Sequence, residues 1–178
     1  MEVNGSGGRF NGLYNRNGCL ISRNVYSGIN LHITWHTKLS QPILIGTIEN
    51  RVHHFLEHQS NGTTSVRFHA VNGTENHVHL VVSVPPSLLV SDWIGKLKGG
   101  SSFYINHEVA NRKLLDWQAG YGVVSFGTKD LGWVVRYVHN QKEHHATGST
   151  NHDSNDPMRK TEKAVKTASR DFCIENQS

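Results

Sequence analysis

The segment His77-Val-His-Leu-Val-Val-Ser-Val84 constrains the fold of this chain more than any other stretch. Its β-branched, apolar character, with Pro85-Pro86 directly behind it, reads as a strand buried in a sheet. Side chains on a strand alternate with a period of two, so His77 and His79 share one face, where one divalent ion could take both imidazoles. The same pair could equally serve in cross-strand hydrogen bonds.

Other elements assemble around this strand. Ile29, Leu31, Ile33 and Trp35 alternate with Asn30, His32, Thr34 and His36, the pattern of a strand with one face on a core. Pro42 precedes a helix in which Ile45, Ile48, Val52, Phe55 and Leu56 recur at helical spacing. Thr64 to Val71 reads as a second strand, Asn72-Gly73 as a hairpin-type turn, and His77 to Val84 as the third strand. After the proline pair, Ser91 is placed to cap a helix running through Trp93, Leu97 and Tyr104 toward Val109. Gly99-Gly100 inside it costs roughly 1 kcal/mol per glycine relative to alanine, which predicts a kink or the close approach of another backbone. Tyr121 to Phe126 forms a fourth strand, and Asp130 caps a last helix that reaches about His145.

The first six elements follow the split βαβ order of an α+β, ferredoxin-like (RRM-like) domain. In that arrangement an antiparallel sheet carries both helices on one face. The other face then needs a cover, which the last helix or a bound strand of nucleic acid could supply.

A chain of 178 residues suits one domain. Its net charge of +4, its pI near 9.2 and its 13 histidines fit a polyanionic partner such as nucleic acid, and fit a basic protein without one as well. Cys19 and Cys173 form neither a disulfide framework nor a metal-type pairing. No run approaches the ~20 apolar residues of a membrane span, and no apolar signal core opens the chain, so a cytoplasmic location without a membrane partner is expected. Residues 1–27, rich in Gly and Asn, read as a flexible arm, 28–146 as the structured domain, and 147–178 as a polar tail with a short charged helix toward its end.

On the last helix, Leu131, Val134, Val135 and Val138 lie within one arc of about 100° and define its core face. Tyr137 and Gln141, one turn apart, share a stripe beside that arc, with Trp133 and His144 nearby. From there they could reach across the sheet edge without being buried. Taken singly, Tyr137 also suits an amphipathic boundary position and Gln141 an ordinary helix surface.

Four segments carry a family resemblance: Asn76-His-Val-His-Leu-Val-Val-Ser-Val-Pro-Pro86, Leu97-Lys-Gly-Gly-Ser-Ser102, Trp117-Gln-Ala-Gly-Tyr-Gly122 and Val135-Arg-Tyr-Val-His-Asn-Gln-Lys-Glu-His-His145. Over residues 28–146 the chain resembles the single-tyrosine HUH transposases of small insertion sequences, the group that includes the REP-associated tyrosine transposases. Histidines that precede the tyrosine resemble Rep-type and transposase members more than conjugative relaxases. The resemblance implies that His77 and His79 bind a metal, that Gln141 completes the ligand set, and that Tyr137 attacks a phosphate of single-stranded DNA bearing hairpin or palindromic ends. It further implies a 5′-phosphotyrosine intermediate, strand transfer, and a prokaryotic, nucleoid-associated setting.

Mg²⁺ or Mn²⁺ suits two imidazoles plus an amide oxygen, and a closed zinc site does not. Lys96, Lys98, Arg112, Lys113, Lys129 and Arg136 are candidates to neutralise phosphates. Trp93, Tyr104 and Trp133 could stack on bases, with core packing expected for at least two of them. A monomer stands open beside a homodimer that exchanges the tyrosine helix in trans. A non-cleaving hairpin-binding protein and a phosphoesterase using activated water, with Tyr137 as packing, are the competing readings.

Overall fold

Leu31, Ile33 and Trp35 of the Ile29–His36 alternation land on a core while Ile29 stays exposed, and Asn30, His32 and Thr34 of the polar half are buried too. In a computed structural model of the chain, residues 26–141 are described. They form β1 (Ile29–His36), α1 (Thr47–Gly62), β2 (Arg67–Thr74), β3 (His77–Val84), α2 (Val90–Tyr104), β4 (Gly122–Phe126) and α3 (Leu131–His139). The strands make one four-stranded sheet in the order β2-β3-β1-β4, every neighbour antiparallel. This is the ferredoxin-like α+β arrangement.

On one face, Leu31, Ile33 and Trp35 of β1 and Val78, Leu80 and Val82 of β3 pack with Val52 and Leu56 of α1 and Trp93, Ile94 and Leu97 of α2. Burying each aliphatic side chain of this kind contributes roughly 1.5–3 kcal/mol. Two indoles are satisfied within this layer, Trp93 Nε1 donating to Thr63 Oγ1 at 3.1 Å and Trp117 Nε1 to Ser101 Oγ at 2.9 Å, whereas Trp35 Nε1 is buried with no hydrogen-bond partner among the described residues. Tyr104 stacks on Phe55 with centroids 5.6 Å apart, so Trp93 and Tyr104 are both packing residues.

On the opposite face α3 supplies the cover. Val134 and Val138 close over Ala70 and Val81, with Phe126, Leu131 and Val135 around them. β1 therefore has no solvent face: Asn30, His32 and Thr34 are as buried as the residues between them. The expectation of a strand with a single covered face is corrected accordingly.

Several boundaries differ from the sequence reading. β2 runs Arg67–Thr74, so Asn72-Gly73 is not the hairpin turn, and Glu75-Asn76 makes it instead. Gly73 sits opposite Val78 where a side chain would have no room, and the Asn72 amide donates to the carbonyl of His139 at 2.8 Å. Ser91 caps nothing: α2 starts at Val90 behind Leu89, without a side-chain cap. Asp130 does precede α3, in a short 3₁₀ turn, and makes no side-chain cap bond either.

At Gly99-Gly100 α2 runs on unbroken. An added Cβ on Gly100 would stand 2.8 Å from the Phe55 ring, so the close neighbour is an aromatic ring and not a backbone. Ile45 lies ahead of α1 and is exposed. No helix among the described residues is long and apolar enough to cross a membrane. α3 ends at His139 with a turn at Asn140, so the last helix does not run unbroken to about His145 as expected; the arm before residue 26, both cysteines, the tail and residues 142–145 lie outside the described residues.

Candidate active site

Register decides which side chains meet. Thr34 is paired with His79 and His36 with His77, so the polar half of β1 and the histidine pair of β3 occupy the same sheet face, the one under α3. His77 is the easier ring to orient. Its Nδ1 lies 2.8 Å from Asn76 Oδ1 and 2.9 Å from Thr74 Oγ1. The amide oxygen can only accept, so the proton sits on Nδ1 and Nε2 carries the lone pair. Thr74 Oγ1 also donates to Asn76 Oδ1 at 3.0 Å, which holds the acceptor in place.

His79, 3% exposed, has Nδ1 2.8 Å from His32 Nε2 and 3.2 Å from Thr34 Oγ1. The rings of His32 and His79 are stacked, 5.0 Å between centroids and 9° between planes. His77 meets His79 edge-on at 4.9 Å, and His36 lies against His77 at 4.9 Å. Four imidazoles thus run across the two inner strands. With Nδ1 of both His77 and His79 engaged in hydrogen bonds, a metal would be taken through their Nε2 atoms, which requires the proton of each ring on Nδ1.

Tyr137 is half-buried and crosses His32 edge-on, with centroids 6.4 Å apart and planes at 86°. Its other face stacks on Trp133 at 5.6 Å and 13°. Because β1 is an inner strand, the tyrosine lies over the body of the sheet and not across its edge. Gln141 departs further from the sequence reading: it is 1% exposed, and its Nε2 is buried with no hydrogen-bond partner among the described residues.

A helix-surface glutamine would be solvated. This one is buried because α3 lies flat on the sheet, tied near its end by the Asn72–His139 bond beside the His79 register position. Among the described residues no three His, Cys, Asp or Glu side chains are arranged to hold a metal, so a metal bound here would need a further donor such as the Gln141 amide oxygen in addition to imidazoles. The buried Nε2 is a donor and cannot serve a cation, but the amide oxygen of Gln141 is a hard donor, and with two imidazoles it makes a set of the kind that Mg²⁺ or Mn²⁺ takes.

His32, His36 and Thr34 were not singled out from the sequence. The available signal was the polar half of the β1 alternation, which becomes a site only once β1 is paired with β3. His32 is 2% exposed, and burial lowers its pKa to about 4. The unfolded chain takes up a proton on this imidazole below about pH 6.5, whereas the folded chain resists it down to about pH 4. This contribution to stability is complete above the unfolded pKa and falls as pH drops through that window, by on the order of 3 kcal/mol. Urea unfolding at a series of pH values should show the wild type losing stability more steeply than His32→Gln. Parallel curves would mean that His32 binds protons equally in both states.

The candidate phosphate-neutralising residues do not form one patch. Arg136 is exposed on α3 next to Tyr137, and Lys129 is exposed in the turn before it. Lys96 is exposed on α2, on the far side of the sheet, and Arg112 follows that helix in a loop. Lys113 lies 3.7 Å from Asp116, which also pairs with Lys38 at 3.1 Å. Lys98 has all three Nζ protons on the carbonyls of Gln118, Ala119 and Gly120, at 2.6, 2.9 and 3.0 Å. It holds the loop that bonds back to the His36 carbonyl through the Gln118 amide, and burial lowers its pKa.

No curated protein matches the chain. Among solved structures, a Deinococcus radiodurans R1 chain described as a transposase is similar with a TM-score of 0.54 at 18% identity, over 69% of this chain and 98% of that one. A REP-associated tyrosine transposase bound to a REP hairpin is similar with a TM-score of 0.52 at 17% identity, over 71% of this chain and 74% of that one. At such identities the likeness is one of fold. The family of IS200-like transposases matches residues 25–141, a span that takes in the whole sheet, both core helices, the helix of Tyr137 and Gln141 just past its end, and this chain belongs to that family.

Proposed function

We propose that this transposase-family protein cleaves and rejoins hairpin-bearing single-stranded DNA with Tyr137 as nucleophile. The observation that carries the reading is the edge-on contact of Tyr137 with His32, whose ring is hydrogen-bonded and stacked to His79. It sets a phenol beside two linked imidazoles on the sheet face that α3 covers. Hairpin DNA as the substrate class is supported by the fold shared with a transposase bound to a REP hairpin.

In this reading Tyr137 Oη forms a bond to phosphorus as the P–O3′ bond breaks. The phenolic proton is lost and the departing 3′ oxygen is protonated, leaving a 5′-phosphotyrosine and a free 3′-hydroxyl. Attack by a second 3′-hydroxyl reverses the exchange and joins a new strand, so ester energy is conserved. Mg²⁺ or Mn²⁺ held by His77, His79 and Gln141 would polarise the scissile phosphate and offset charge on its oxygens. Trp133, exposed and stacked on Tyr137, limits the movement of the phenol ring. Arg136 is placed to approach the DNA backbone next to the reacting tyrosine.

A pool of hairpin-bearing single-stranded DNAs labelled at the 3′ end, incubated with protein and Mn²⁺, tests this on a denaturing gel. A label that migrates with the protein in Mn²⁺ and not in EDTA is the expected outcome, since the fragment joined to tyrosine is the downstream one. DNA retained on a native gel with no covalent species across the pool would favour a non-cleaving binding protein. Cleavage without an adduct would favour activated water.

A further inference from the structure

We propose that His32 is the positioning residue of this site, holding His79 in the tautomer and rotamer that metal binding requires while its ring edge sets Tyr137 above the pair. The inference rests on the metal reading given above and names a residue outside the Tyr137, His77, His79 and Gln141 set.

For His79 to ligate through Nε2, its proton must reside on Nδ1, and that proton needs an acceptor. Among the described residues His32 Nε2 lies 2.8 Å and Thr34 Oγ1 3.2 Å from that nitrogen, and the shorter bond is to the imidazole. The 9° stack adds a second restraint, because turning the His79 ring would break both the bond and the ring contact. The opposite partner of His32 is Tyr137, met edge-on. One side chain therefore touches a ligand and the nucleophile and sets the spacing between them.

Packing alone does not call for a histidine here. His32 lies opposite Val81 on one side and Val124 on the other, and its Nδ1 is buried with no hydrogen-bond partner among the described residues. An apolar side chain would fill such a position without an orphaned polar atom. The histidine is thus best accounted for by the bond it makes to His79.

The test is Mn²⁺ binding by the DNA-free protein, read from the free-ion EPR signal, for wild type, His32→Phe, His32→Gln and His79→Ala, each with a thermal melt. Phe keeps the ring and removes the acceptor, while Gln restores an acceptor near the Nε2 position. His32→Phe is expected to melt as a folded protein and to bind Mn²⁺ about 10–100-fold more weakly, and His32→Gln to return close to the wild-type value. In the adduct assay, half-saturating Mn²⁺ should rise by the same factor in His32→Phe, with a smaller loss of rate at saturating metal. Unchanged Mn²⁺ affinity in His32→Phe overturns the proposal.

Should His32→Phe not fold, ¹⁵N-histidine NMR of the wild type with Mg²⁺ decides. His79 protonated at Nδ1 with His32 unprotonated at Nε2 supports it, and a proton on His32 Nε2 overturns it. Equal Mn²⁺ binding by wild type and His79→Ala would sink the metal reading itself, an outcome seen without any His32 variant.

Discussion

Tyr137→Phe is expected to eliminate the covalent protein–DNA species and to lower strand cleavage by roughly a thousandfold or more. The substitution removes one oxygen and little else. Phenylalanine keeps the stack on Trp133 and the edge contact with His32, so α3 should stay on the sheet with Val134 and Val138 still closing the second core. Thermal stability and retention of hairpin DNA on a native gel should therefore match the wild type. A large loss of cleavage with unchanged folding and binding is what removal of a reacting group looks like, as opposed to removal of a packing group. The 3′-label assay reads it directly, and a covalent product from the variant would assign the nucleophile to another hydroxyl.

The second large effect is on folding. Gly73→Ala should destabilise the protein by about 3 kcal/mol, at the upper end of what overpacking costs. An added Cβ would overlap the carbonyl oxygen of His77 and stand 3.0 Å from both the His77 carbonyl carbon and Val78 Cα. These are backbone atoms of the paired strand, with no flexible end to swing aside. The β2–β3 pairing must spread there, opposite Val78 and one position from the Thr74–His77 pair next to the turn that carries Asn76. Urea unfolding measures the stability loss, and Mn²⁺ affinity should fall with it, because His77 loses its fixed relation to Thr74 and Asn76. Wild-type stability in Gly73→Ala would mean that β2 and β3 approach each other differently at this point.

Gly73 also marks where turn chemistry misleads. Asn-Gly is a strong hairpin signal, and it predicts a turn at residues 72–73 that the chain makes at Glu75-Asn76. The glycine answers a demand for space across the strand pair, and the asparagine a bond to the end of α3. Both demands come from partners distant along the chain or across the sheet. Ser91 and Asp130 likewise look like helix caps and make no cap bonds, whereas the element order and the span of β3 were legible throughout.

Of the site, His77, His79, Tyr137 and Gln141 could be named from spacing and resemblance, because a strand period and a helix period are local properties of consecutive residues. His79's companion could not. His32 and His79 lie 47 residues apart and meet at 2.8 Å only because β1 pairs with β3 in one register.

What the sequence by itself determined is the set of elements and their antiparallel ferredoxin-like order, together with the candidates proposed here for the chemistry. Only the tertiary structure decided that α3 lies flat over the second sheet face. That placement buries Gln141, gives β1 two covered faces and sets Tyr137 above His32. The physical reason is that periodicity records which residues share a face, while burial and contact depend on what finally covers it.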